Sequence, residues 1–312
     1  MGTKQNSKLI NNTKGDLIKN NEILLRVKVE SNDINKTIFF LNDKISLEKS
    51  SDYILYLKDS HQNLLKNSIK EIKSNSVAYI NGKKSLALNY FIPKKIGIYP
   101  IKIIFHKKMK YCCFMFACCH NIIEIDLSNF DTSDIVNISG MFYECKLLKH
   151  ISGISCWNIS NVIDMSYMFF YCESIQIFPD ISLWNTSNVE KMNRMFAICR
   201  SLLAAPDISK WNVSKVKNMQ YMFFLCKSLS YFPDISNWNV TNLKDITGMF
   251  EQCHSLTYFP NLSNLNIPNN IRMDYLFFNC FSLSFISNKS ILKRNFSSYK
   301  ANTNCISLLL PK

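Results

Sequence analysis

The stretch Met222–Val240, MFFLCKSLSYFPDISNWNV, decides how the rest of the chain is read. It holds a Met-Phe pair, a Cys, a Pro-Asp and a Trp, all residue types that reactive sites use. The first question is whether it stands alone, because a missed internal repeat misassigns the whole fold. It does not. Cys226 belongs to the series Cys145, Cys172, Cys199, Cys226, Cys253 and Cys280, each step 27 residues. An earlier copy, MFACC, ends at Cys119, 26 residues before Cys145. Trp157, Trp184, Trp211 and Trp238 keep the same step of 27. Chance does not align Met, Phe, Cys and Trp across so many copies.

Within one unit the apolar residues recur at set distances from the Cys. After Cys226 they are Leu229, Phe232, Ile235 and Trp238, then Leu243, Ile246, Met249 and Phe250. The second group is spaced by three or four residues, which predicts one face of a short helix. Ser160, Ser187, Ser214 and Thr241 stand where that helix needs an N-cap. The first group predicts a short strand. IIEIDLSNF places Ile122, Ile125 and Leu127 as L-x-x-L-x-L, the leucine-rich repeat strand pattern. Pro179, Pro206, Pro233 and Pro260 enter the later copies and account for the longer step; a proline cannot donate to a ladder and belongs at a strand start. One such unit cannot bury its apolar side, so copies are expected to stack.

The stretches NVIDMSYMFFYCESI (161–175), NVEKMNRMFAICRSL (188–202) and NLKDITGMFEQCHSL (242–256) resemble the repeats of BspA-like leucine-rich repeat proteins, the mycoplasma-type lipoprotein repeats of unknown function. The resemblance covers roughly residues 108–287. It implies an α/β repeat solenoid, leucine-rich-repeat-like, with short parallel strands and short helices, that binds other macromolecules. Many relatives are surface proteins or lipoproteins, and the family carries no catalytic residues. This chain lacks the lipobox cysteine of such relatives near residue 1.

The 312 residues carry a formal net charge of +14. It is unevenly spread: residues 1–110 hold 21 Lys+Arg against 9 Asp+Glu, residues 111–287 hold 11 against 14, and residues 288–312 hold 5 against none. The repeats are near neutral and both ends are basic. Basic ends can meet anionic lipid; no nucleic-acid module accompanies them, and no nucleic-acid partner is expected. No secretory leader or membrane-spanning run is legible, so the twelve Cys are expected to be reduced and the protein cytoplasmic or membrane-peripheral. Gly2 opens a partial myristoylation pattern, with Asn6 where Ser or Thr is wanted, and Lys4, Lys8 and Lys14 would supply the second membrane signal.

Each column of the repeat has a structural and a functional reading. A Cys every 27 residues puts one thiol on each rung, which is core and not a tetrahedral metal set. The Met and Trp columns read as core in the same way. Asn158, Asn185, Asn212 and Asn239 begin sequons, which the capping role of the following Ser or Thr explains without glycans. The outward residues of PDIS remain: Asp180, Asp207 and Asp234, beside Ser182, Ser209 and Ser236, with Asp126 flanking. Each Asp either bonds a turn amide or belongs to a partner-binding face. No catalytic constellation, cofactor motif or metal set is legible. With only seven Gly in the chain there is no phosphate loop.

Residues 1–20 read as a flexible basic tail, 21–107 as a small β-rich, β-grasp-like domain capping the first rung, 108–287 as the repeats, and 288–312 as a basic cap or tail. EILLRVKVE (22–30), KTIFFLN (36–42) and GIYPIKIIF (97–105) predict strands, 52–72 a helix within mixed periodicity, and Asn81-Gly82 a hairpin turn. The expected function is a monomeric, non-catalytic protein-binding scaffold or adaptor. The alternative is a cell-surface adhesin exported by an unconventional route.

Overall fold

A computed structural model describes residues 21–42, 60–260 and 265–286. Gly2, the basic tail and the basic end at 288–312 lie outside the described residues. Strand β1, Glu22–Val29, buries Ile23, Leu25, Val27 and Val29 and turns the alternate residues out, as a half-buried strand requires. It is followed by β2 (Ile38–Phe39), helix α1 (Ser60–Asn75), β3 (Ser76–Ile80), β4 (Lys83–Lys84), β5 (Tyr90–Phe91) and β6 (Gly97–Phe105). The repeats contribute β7 (Ile122–Asn129), β8 (His150–Ser152), β9 (Tyr258–Phe259) and β10 (Phe285–Ile286). Asn81 and Gly82, both at positive φ, form the tight turn between β3 and β4.

The main sheet is mixed and six-stranded, in the order β4-β3-β6-β1-β7-β8. Its first four contacts are antiparallel, and β7–β8 is parallel. This corrects the expected fold class. The chain is not a helix-rich α/β repeat solenoid of leucine-rich type. Among the described residues there is one α-helix, α1, and it precedes the repeats. The strands before the repeats share this sheet with them, because β1 hydrogen-bonds directly to β7 of the first unit.

Where short helices were expected, the units contain linked turns. Tyr111, Asn137, Asp164, Lys191, Asn218, Asp245 and Arg272 are joined in this order by parallel bridges. Beyond the bridge the backbone donors divide. The N–H groups of Met165, Tyr167, Phe169 and Tyr171 donate to the carbonyls of Lys191, Asn193, Met195 and Ala197 in the following unit. Those of Met168, Phe170 and Cys172 donate back three residues, to Met165, Tyr167 and Phe169. Ser166 N–H goes to the Asp164 carboxylate. Every donor from Met165 to Cys172 is therefore satisfied, but none by the four-residue bond of an α-helix.

This path needs a left-handed residue at every fourth position. φ is positive at Tyr167 and Tyr171, and again at the pairs Arg194 and Ile198, Tyr221 and Leu225, and Tyr275 and Asn279. A side chain in that conformation costs about 1–2 kcal/mol. Two per unit are offset by four inter-unit bonds worth about 1 kcal/mol each. Inside, Phe142, Phe169, Phe196, Phe223 and Phe250 stack with centroids 5.1–5.8 Å apart.

The corners of each unit are held by Asx turns. Asn158, Asn185, Asn212 and Asn239 accept the N–H of Ser160, Ser187, Ser214 and Thr241. The expected N-cap residues are thus the ones being capped, because no helix follows them. The first unit is closed by α1 as well as by β1. The Glu71 carboxylate accepts from the backbone N–H of Lys110 (2.8 Å) and Tyr111 (3.1 Å), and Ser68 Oγ donates to the Tyr111 carbonyl. Asn42 N–H donates to Met115 O. One continuous core runs from Ile23 in β1 to Leu283 in the last unit.

A candidate interaction face

The residue types that looked reactive in Met222–Val240 are used internally. Cys145, Cys172, Cys199, Cys226, Cys253 and Cys280 are fully buried. Each thiol donates to the carbonyl of a Phe in the preceding unit, at 2.9–3.2 Å. Burial pushes the Cys199 thiol up to about 12, and Cys145, Cys172 and Cys226 are likewise held well above the ordinary thiol range. These are protonated donors, the reverse of a reactive thiolate. Trp184, Trp211 and Trp238 donate Nε1–H to the carbonyls of Ile154, Ile181 and Ile208 at 3.0–3.1 Å. Among the described residues no three His, Cys, Asp or Glu side chains come together as a metal set.

Asp180, Asp207 and Asp234 lie on the surface, one per unit. Each accepts the N–H of the residue two ahead, Ser182, Ser209 and Ser236, at 2.9–3.0 Å. Ser209 Oγ also donates to Asp207, at 2.6 Å. The serines are therefore bound to their own aspartates and do not form a separate column. The Ser182 amide, then its hydroxyl, hold the Asp180 carboxyl below its usual range, with Lys210 adding to the effect. The aspartates thus bond turn amides, as the first reading expects, and stay exposed.

A second column beside it was not legible as a site. Five residues after each Cys stand Glu124, His150, Ile177, Ala204, Tyr231 and Tyr258. Ala204 bridges Tyr231, and at the start of the series Glu124 pairs with His150 across β7 and β8. Ile177 is 76% exposed, Tyr231 59% and Tyr258 46%. In the unit of Tyr231 the next residue, Phe232, is buried. Alternation across that inward Phe was the signal that turns Tyr231 outward.

At the β7–β8 end this surface runs into a cleft of about 680 Å³ on the open face of the sheet. Leu24, Lys102, Glu124, Asp126 and His150 line it. Arg26 pairs with Glu124 at 3.0 Å, and Asp126 accepts from both the N–H and the hydroxyl of Ser128. The whole face thus combines apolar and tyrosine side chains with pre-oriented carboxylates.

A family model described as "Mycoplasma protein of unknown function, DUF285" matches residues 110–229 and, in a second register, 176–290. The chain belongs to this family. The matches cover the turn-built units and more than half of the sequence, and they agree with the mycoplasma-type resemblance read from the repeats. No curated protein and no solved structure matches the chain. Among the described residues no helix is long and apolar enough to cross a membrane.

Proposed function

We propose that the protein is a non-catalytic binding scaffold for a protein partner, and that the partner docks on the ribbon of Ile177, Tyr231 and Tyr258 with Asp180, Asp207 and Asp234. The observation that carries this reading is the exposed apolar column beside an acidic one at the same 27-residue step. Exposed tyrosines supply large, stiff contact area, and interface hot spots are rich in them. Charged groups at the rim steer and orient the partner. The BspA-like assignment belongs to this proposal, as does a reducing, cytoplasmic setting; ten buried free thiols among the described residues support the latter.

The test is a pull-down from native cells with two full-length variants, Tyr231→Ala/Tyr258→Ala and Asp180→Asn/Asp207→Asn/Asp234→Asn. The tyrosine variant is expected to weaken its partner's binding by about 2 kcal/mol or more, roughly thirtyfold. The aspartate variant should mainly slow association and flatten its salt dependence. Unchanged affinity for every partner in both variants rejects the ribbon. The resemblance to BspA-like repeats, many of whose bearers are surface proteins, suggests one second reading, a surface-displayed adhesin. Labelling of intact cells separates the two, because a scaffold inside the cell takes up no label.

A further inference from the structure

A different part of the molecule carries a second kind of contact. Between Ile72 and Ile123 the sequence has nine lysines and no acidic residue. Four of these lysines, Lys83, Lys84, Lys94 and Lys95, lie at one end of the main sheet. There β3 ends and β4 begins (Ile80 pairs with Lys83), and β1 ends where β6 starts (Val29 pairs with Gly97). Five of the thirteen exposed large apolar side chains of the described residues fall within residues 86–98. Leu86 is fully exposed, Ile96 66% and Ile92 48%. Lys83, Lys84, Lys94 and Lys95 stand exposed among them. Among the described residues, Glu30, just beyond the end of β1, pairs with Lys28 at 2.5 Å, and Asp33 accepts from Glu30 N–H and Asn121 Nδ2.

Beside this tip, a groove of about 1080 Å³ runs between α1 and the β2–β5 pair. Lys66, Lys70 and Lys73 line one wall, with Tyr90 and Ile92 opposite. Spacings of four and three residues put the three lysines on one helix face. Asn42 also lines the groove. Its side chain is buried, and neither its amide nitrogen nor its oxygen has a hydrogen-bond partner among the described residues. A buried amide left unpaired costs about 1–3 kcal/mol, so it marks a place where a polar ligand group gains.

We propose that this end of the sheet docks on an anionic lipid bilayer, with Leu86 and Ile96 entering the interface, the tip lysines on the headgroups, and the groove taking one headgroup. The charge calls for an anionic partner. The apolar side chains choose among such partners: nucleic acid would satisfy the lysines and leave Leu86 and Ile96 in water, and an acidic protein would need an apolar patch of its own set among its carboxylates. A membrane interface accepts both at once.

The experiment is flotation of the full-length chain with vesicles of phosphatidylcholine alone or of phosphatidylcholine with phosphatidylserine. The chain is expected to float with the anionic vesicles only, and less at high salt. Lys83→Gln/Lys84→Gln should weaken partitioning by about fivefold per lysine. Leu86→Ser/Ile96→Ser should weaken it by at least tenfold, on burial of two aliphatic side chains. Both pairs are exposed, and an unchanged urea midpoint verifies that each variant is folded. Failure of the wild-type chain to float with anionic vesicles overturns the proposal. So does flotation that ignores Leu86 and Ile96. Binding of a labelled single-stranded oligonucleotide through the same lysines, without vesicle binding, assigns the tip to nucleic acid and also overturns it. The residues involved are separate from the tyrosine ribbon, so either reading can fail alone.

Discussion

Gly140 and Gly248 occupy the same left-handed position in two different units, both at φ +59°. Alanine at either site pays the same backbone cost, about 1–2 kcal/mol. The neighbours differ. A Cβ at Gly140 would lie 2.3 Å from Cε1 of Phe114, and at Gly248 2.2 Å from Cε1 of Tyr221. Phe114 is buried in a cluster with Leu65 of α1 and Tyr143 of the next unit, so relieving the clash means moving packed side chains. Such overpacking costs about 1–3 kcal/mol. The Tyr221 ring is only half buried and can turn away, losing its contact with the Arg194 guanidinium at 4.8 Å. That loss is about 0.5–1 kcal/mol. Gly140→Ala is therefore expected to destabilise by about 3–4 kcal/mol and Gly248→Ala by about 2 kcal/mol. Urea unfolding monitored by Trp fluorescence measures both, compared at equal slope. Equal losses, or a loss at Gly140 below about 1 kcal/mol, refute the left-handed turn ladder and the packing drawn from it.

Other outcomes follow from the same geometry. Burial raises the Cys113 and Cys199 thiols from the ordinary 9.0 to about 12. A raised thiol stabilises the fold below the unfolded value and loses that contribution as pH climbs toward the folded one. Stability should then fall above pH 9 by about 1.4 kcal/mol per pH unit for each buried thiol; a urea midpoint that stays level from pH 9 to about 11 contradicts this. Trp211→Phe removes the bond to Ile181 O and should cost about 1 kcal/mol, while Trp157→Phe, whose Nε1 has no partner among the described residues, should cost less. Reversal of that order in thermal unfolding would show that stacking, not the N–H bond, decides. Glu71→Ala leaves the amides of Lys110 and Tyr111 without their acceptor, so hydrogen exchange at both should quicken and stability should drop by about 2 kcal/mol. Unaltered exchange would mean that α1 does not anchor the first unit.

The Asp column was legible because proline and aspartate stand out at a regular step, and outwardness follows from the buried Ile beside each Asp. The tyrosine column was not, because Tyr231 sits next to Phe232 and an apolar pair reads as core until one partner is seen to face in. The basic, acid-free character of residues 72–123 is plain in the letters, but not that Lys83, Lys84, Lys94 and Lys95 share one end of a sheet with Leu86 and Ile96. Pairing between strands distant in sequence brings them there.

By itself the sequence determines the 27-residue period, which residues face inward, and that the units repeat one arrangement. It could not determine that arrangement. Met165, Met168, Phe169 and Cys172 fall inward at steps that suit an α-helix, and they suit equally a chain of turns with every fourth residue left-handed. The two differ in where the N–H groups go: four residues back, or alternately three back and on to the next unit. That choice rests on a neighbour one period away offering carbonyls in register, with stacked Phe rings and Cys thiols filling the space between. Only the assembled tertiary structure supplies such a neighbour, which is why the expected helices are absent from the repeats and the strands that survive are so short.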